Sequence, residues 1–230
     1  VREEPNGWCL GEWSTPHNRI EIPASLVNTA YFYHVTCIMA DVAGILNKKN
    51  DEHHLRTLAE TIRKNFNAAF YNEATHHYGE GKQGADVFAL AFGLVPDGKR
   101  EKVFAALLGH LEKVNYHFDT GILATPLLLQ VLTENGRADL AYKLMNQRDF
   151  PSYGYLADKK NNTLWETWNG DGNDEGCGHC HPMFGSVVAW FYHSLAGIKP
   201  DQSDPGMKHF YMEPMIVPDL KYCRATYDSQ

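Results

Sequence analysis

The chain has 230 residues, 43% hydrophobic and 21% charged, which is enough apolar material for one globular domain with a full core and argues against disorder. Its 28 acidic and 21 basic side chains give a formal charge of -7 with no basic run, which removes the electrostatic footprint that a nucleic-acid partner demands. No window approaches the roughly 20 apolar residues of a membrane span; the richest stretch, 184–198, is interrupted by Ser, Tyr and His, so no membrane insertion is expected.

Apolar residues recur at helical spacing along most of the chain, as in Leu58, Ile62, Phe66 and Phe70, and again in Val103, Leu107 and Leu111 beside Phe104 and Leu108. The pattern predicts helices over 25–46, 50–71, 84–94, 98–115, 121–134, 137–147 and 182–196. Breaks fall at Asn47 to Asn50, at Pro96-Asp-Gly98, at Asn135-Gly136 and at Pro151. Short connections make neighbouring helices antiparallel. The pairs share no sequence period, which favours a closed toroid of helical hairpins over an open repeat array. The stretch 151–182 is rich in Gly, Asn and aromatics without a helical stripe and reads as a long functional loop. After Pro205-Gly206, the run Lys208-His-Phe-Tyr-Met212 reads as a strand. The chain begins at Val1 and its first residues read as mid-domain sequence, as in a processed or truncated polypeptide.

Chemistry concentrates in the long loop. Thr163-Leu-Trp-Glu-Thr-Trp168 sets a carboxylate between two indoles, a combination suited to sugars, whose apolar faces stack on rings while acids handle their hydroxyls. Glu166 is the leading candidate; the competing reading is a structural glutamate among core tryptophans. Gly11-Glu-Trp-Ser-Thr-Pro16 is a weaker acid–aromatic pair, for which a packed Trp13 and a solvated Glu12 are the bland alternative. Tyr153 and Tyr155 add aromatic surface near Glu166. The chain has five cysteines, Cys9, Cys37, Cys177, Cys180 and Cys223, an odd number that argues against a disulfide scaffold. Cys177-Gly-His-Cys-His181 has the spacing of c-type haem attachment, and Cys/His clusters also bind zinc. The preferred reading is two free thiols beside a structural or substrate-contacting His181 at a helix start, with no metal and no cofactor.

Taken in order, these segments resemble the glycoside hydrolase family 78 α-L-rhamnosidases almost end to end. The family's Gly-Asp-Trp-Leu-type segment appears as Gly11-Glu-Trp-Ser14. There follow Asn28-Thr-Ala-Tyr-Phe-Tyr33, Ala89-Leu-Ala-Phe-Gly-Leu-Val-Pro96, Thr120-Gly-Ile-Leu-Ala-Thr-Pro126, Phe150-Pro-Ser-Tyr-Gly-Tyr155, Leu164-Trp-Glu-Thr-Trp168 and His181-Pro-Met-Phe-Gly-Ser186. The resemblance implies an all-α fold, part of an (α/α)6 barrel with a short C-terminal β segment. Residues 1–204 would form the later part of that barrel, and 205–230 the start of a C-terminal β domain. It also implies inverting hydrolysis of terminal α-L-rhamnosides. Glu166 would be the general base, His181 a sugar contact, and Glu12, Trp13, Tyr153 and Trp168 would line the substrate pocket.

The expected partners are a rhamnose-containing glycoside or oligosaccharide and the rest of the chain's own catalytic barrel. The compartment, periplasmic, extracellular or cytoplasmic, stays open. Departures from the family pattern are Glu12 for Asp, Tyr153 for Trp, Cys180 for Asn, and Asn161-Asn162 for a Gly-Ala-Thr-like turn, and they bear on substrate preference more than on reaction class. Arg2, Glu4 and Trp8 match the spacing of the family's general-acid motif. Gly11-Glu-Trp13 follows at once, however, so the match is read as coincidence and the acid is expected upstream of Val1. The alternative function is a non-catalytic carbohydrate-binding remnant of such a barrel.

Overall fold

The computed structural model describes residues 11–16, 22–159, 163–169, 178–201, 203–204 and 206–228. The motif residues Arg2, Glu4, Trp8, Cys9, Asn161, Asn162 and Cys177 lie outside them. Contacts divide the chain into two compact units, Val1–Ala124 and Thr125–Gln230. Among the described residues, no helix is long and apolar enough to cross a membrane.

In the first unit, α1 (Ala24–Ile45) and α2 (Lys49–Phe70) form a hairpin. α1 ends where Asn47 takes a left-handed conformation, φ 56°, and Lys48 N–H reaches back to Ala43 O at 2.8 Å. This termination suits Asn, which tolerates that region better than other non-glycine residues. α2 buries Ala59, Ile62 and Phe66, one turn apart, while its opposite face is charged. α3 (Gln83–Ala91) and α4 (Arg100–Lys113) form the next pair. Val103, Leu107 and Leu111 are completely buried, and each contributes on the order of 1.5–3 kcal/mol of apolar burial.

The second unit carries most of α5 (Ala124–Glu134), then α6 (Ala138–Met145), separated by Gly136 at φ 75°. α7 (Tyr153–Asp158) lies inside the stretch expected to be loop. Ser152 starts it, its Oγ accepting from Tyr155 N–H at 3.0 Å, and six residues are too few to show a stripe. The expected helix 182–196 is broken into α8 (Pro182–Gly185), α9 (Val188–Trp190) and a π-helical turn, Phe191–Leu195. Its wide turn is closed by Ala196 N–H to Phe191 O at 2.8 Å. Two short strands, β1 (Ile198–Pro200) and β2 (Phe210–Met212), pair antiparallel with Ile198 opposite Met212. β2 falls within the segment read as a strand; β1 was not expected.

Candidate active site

Glu166 sits on a segment that is paired with the chain just before α8. Glu166 N–H donates to Gly178 O at 2.8 Å and His181 N–H donates to Leu164 O at 2.8 Å, the reciprocal pattern of antiparallel backbone. Gly178 N–H does not complete the ladder. It donates instead to the Glu166 carboxylate, at 2.8 Å from Oε2, and so orients the acid. One residue, Trp165, separates the bonded positions on the first segment, whereas His179 and Cys180 separate them on the second. The extra residue acts as a bulge and turns His181 back to the face that holds Glu166. A Cβ on Gly178 would lie 3.2 Å from Glu166 Oε2 and 3.7 Å from His181 Cδ2, so both candidate side chains converge where this position has no side chain. His181 Nδ1 is buried and has no partner among the described residues.

Behind this pair is a packed aromatic cluster. Trp168 is 1% exposed, with its ring 4.6 Å from Phe184 and 5.4 Å, edge to face, from Tyr153. The Tyr153 hydroxyl donates to Phe184 O at 2.9 Å, and burial pushes its pKa well above the usual phenol value. Tyr153 and Trp168 thus pack with Phe184 in the core and offer no open ring faces.

In the first unit, the segment around Glu12 packs against the turn entering α5. Glu12 is fully buried. Its Oε1 accepts from Gly121 N–H at 2.6 Å and Ala124 N–H at 3.0 Å, and Ile122 N–H donates to Trp13 O at 2.9 Å. Gly11-Glu-Trp-Ser14 and the run Thr120-Gly-Ile-Leu-Ala124 are thereby one structural feature. Burial raises the Glu12 pKa to about 8 against the pull of its two backbone donors, with a smaller upward push from Asp119. Neither the pocket-lining carboxylate nor the solvated one considered from the sequence describes it: this carboxyl anchors backbone. Trp13 is half-buried.

Polar residues that the sequence reading passed over hold the neighbouring turns. Asp86 is fully buried; it accepts from Tyr78 N–H at 2.8 Å and lies 2.6 Å from His77 Nδ1, and this contact raises the His77 pKa. Both ends of the Gln83 amide are used, on His117 O at 2.9 Å and Asp119 N–H at 3.0 Å. The only signal for them was polar residues in an otherwise apolar α3. Gly178 and His179 gave none, because their partners lie across the loop.

Cys180 is an exposed free thiol, and the haem and zinc readings both need Cys177, outside the described residues. Among the described residues, no group of three or more His, Cys, Asp or Glu is arranged to hold a metal.

The model of the bacterial α-L-rhamnosidase six-hairpin glycosidase domain matches residues 2–195. A curated α-L-rhamnosidase of Streptomyces avermitilis is 35% identical over 225 residues, covering 95% of this chain and 21% of its own length. A crystal structure of Streptomyces avermitilis α-L-rhamnosidase complexed with L-rhamnose aligns with TM-score 0.81 at 35% identity, over 90% of this chain and 20% of that one. An α-L-rhamnosidase structure from Dictyoglumus thermophilum aligns with TM-score 0.83 at 34% identity, over 91% and 24%. The chain thus spans about a fifth to a quarter of the length of these relatives. The mostly helical fold matches their six-hairpin α/α barrel.

Proposed function

Because this chain belongs to the bacterial α-L-rhamnosidase six-hairpin glycosidase family, we propose that the protein it comes from hydrolyses terminal α-L-rhamnosides with inversion, Glu166 serving as general base. Glu166 takes a proton from a water that attacks the anomeric carbon. A carboxylic acid outside this chain protonates the leaving oxygen, standing roughly 6.5–9.5 Å from Glu166 so that the water fits between them. His181 contacts a sugar hydroxyl. The observation that carries this reading is the convergence of Glu166 and His181 over Gly178, whose N–H fixes the direction of the carboxylate. A general base must be held in a set orientation to its water, and this bond does so without a side chain in the way.

The rest of the barrel is the partner of this chain. The face of α1 bearing Phe32, Val35, Ile38 and Met39 is 45–51% exposed, a contiguous apolar strip that suits packing against further helices. Residues 205–230 begin a C-terminal β domain, a reading supported by β2 and its exposed Phe210, Tyr211 and Met212.

Incubating the intact protein with an aryl α-L-rhamnoside should release the phenol and L-rhamnose, with aryl glycosides of other sugars turned over at least about 100-fold more slowly. Saturable rhamnose binding without any turnover would instead identify a carbohydrate-binding remnant.

A further inference from the structure

The paired segments that carry Glu166 have a second face. Side chains alternate along extended backbone, so Trp165 and His179, each one step from the Glu166–Gly178 pairing, lie opposite one another on the side away from the carboxylate. Their rings are stacked, with centroids 4.0 Å apart and planes 10° apart, and the Thr163 hydroxyl donates to His179 O beside them. This stack joins the two segments through their side chains. It sits between the bonds Glu166 N–H to Gly178 O and His181 N–H to Leu164 O, at the point where the second segment carries its extra residue. A ladder this short can slip, and a slip of one residue would carry His181 off the face of Glu166 and withdraw Gly178 N–H from Oε2.

We propose that His179 is a positioning residue for the reaction: by stacking on Trp165 it holds the 178–181 segment in the register that orients the Glu166 carboxylate and presents His181. The proposal rests on Glu166 being the base. His179 itself touches no substrate; its ring lies on the opposite face and acts through the backbone pairing. Histidine is not required for this, because any flat ring of similar size can take the same place over the indole.

The test uses the intact enzyme and an aryl α-L-rhamnoside. His179→Ala is expected to lower kcat about threefold to tenfold while KM changes less than about twofold, since misaligned catalytic groups cost rate and leave ground-state binding in place. The acid limb of the kcat/KM profile, which reports the base, should shift with it. His179→Phe should restore kcat to within about twofold and return the limb to its place. An unchanged kcat and acid limb in His179→Ala would overturn the proposal, and so would a His179→Phe enzyme as impaired as the alanine variant. Should His179→Ala not fold, the same comparison is made between His179→Gln and His179→Phe, with the same two outcomes. Normal turnover by Glu166→Gln would remove the base assignment itself. A dead Glu166→Gln beside an unaffected His179→Ala would overturn only the positioning.

Discussion

Replacing Glu166 with Gln in the intact protein should lower kcat on an aryl α-L-rhamnoside by about 10²- to 10⁴-fold, the usual contribution of a general base. The substitution is nearly isosteric, and the amide oxygen can still accept from Gly178 N–H, which at present bonds Oε2 at 2.8 Å. The loop pairing through Glu166 N–H and His181 N–H uses backbone only and is untouched. What is lost is the ability to take a proton from water. KM and the thermal midpoint should therefore stay close to those of the parent while kcat collapses, a pattern seen when an interaction specific to the transition state is removed. Near-normal turnover would sink the assignment, and an equal fall in stability would make Glu166 a structural residue.

The second large effect lies in the first unit. A Cβ at Gly121 would stand 1.9 Å from Trp13 O and 3.0 Å from Glu12 Oε1, and the nearer atom is backbone. Gly121→Ala must push the 12–13 segment away. That breaks Gly121 N–H to Glu12 Oε1 and Ile122 N–H to Trp13 O, and it loosens the anchor of a buried carboxyl, which keeps its bond from Ala124 N–H. Two hydrogen bonds at about 0.5–1.5 kcal/mol each sum to about 1–3 kcal/mol, a sizeable part of a domain's margin. Thermal unfolding of the intact protein should show the midpoint falling by several degrees or the variant accumulating unfolded. Gly109→Ala is the control. Nothing lies within 4 Å of a Cβ at this mid-helix position of α4, so it should be neutral or slightly stabilising. If Gly121→Ala unfolds together with its parent, the close approach is not required.

The contrast between these sites shows what a sequence reader can see. The helices were legible where their signal is local. Val103, Leu107 and Leu111 lie on one stripe, and Asn47 and Gly136 stop their helices through a left-handed residue that few other types accept. α7 was not legible, because Ser152 caps only six residues, nor was the break at 186–187 in the last helix. Glu166 stood out because a carboxylate between two tryptophans is unusual and its order among the motifs matched a family. Its partner Gly178 lies 12 residues on, across a Gly- and Asn-rich run with no period, so the bond that orients the acid could not be read. Glu12 was misread for a physical reason. Carboxylates are seldom enclosed, and the backbone groups that make enclosure tolerable here are 109 and 112 residues away in the chain.

The claim that Glu166 activates water, and does not itself attack the sugar, is tested most directly by the first-formed anomer. Proton NMR of the intact enzyme acting on an aryl α-L-rhamnoside should show β-L-rhamnose appearing first and the α anomer only later, by mutarotation. α-L-Rhamnose as the initial product would require a covalent intermediate and would contradict Glu166 as a general base in a single displacement.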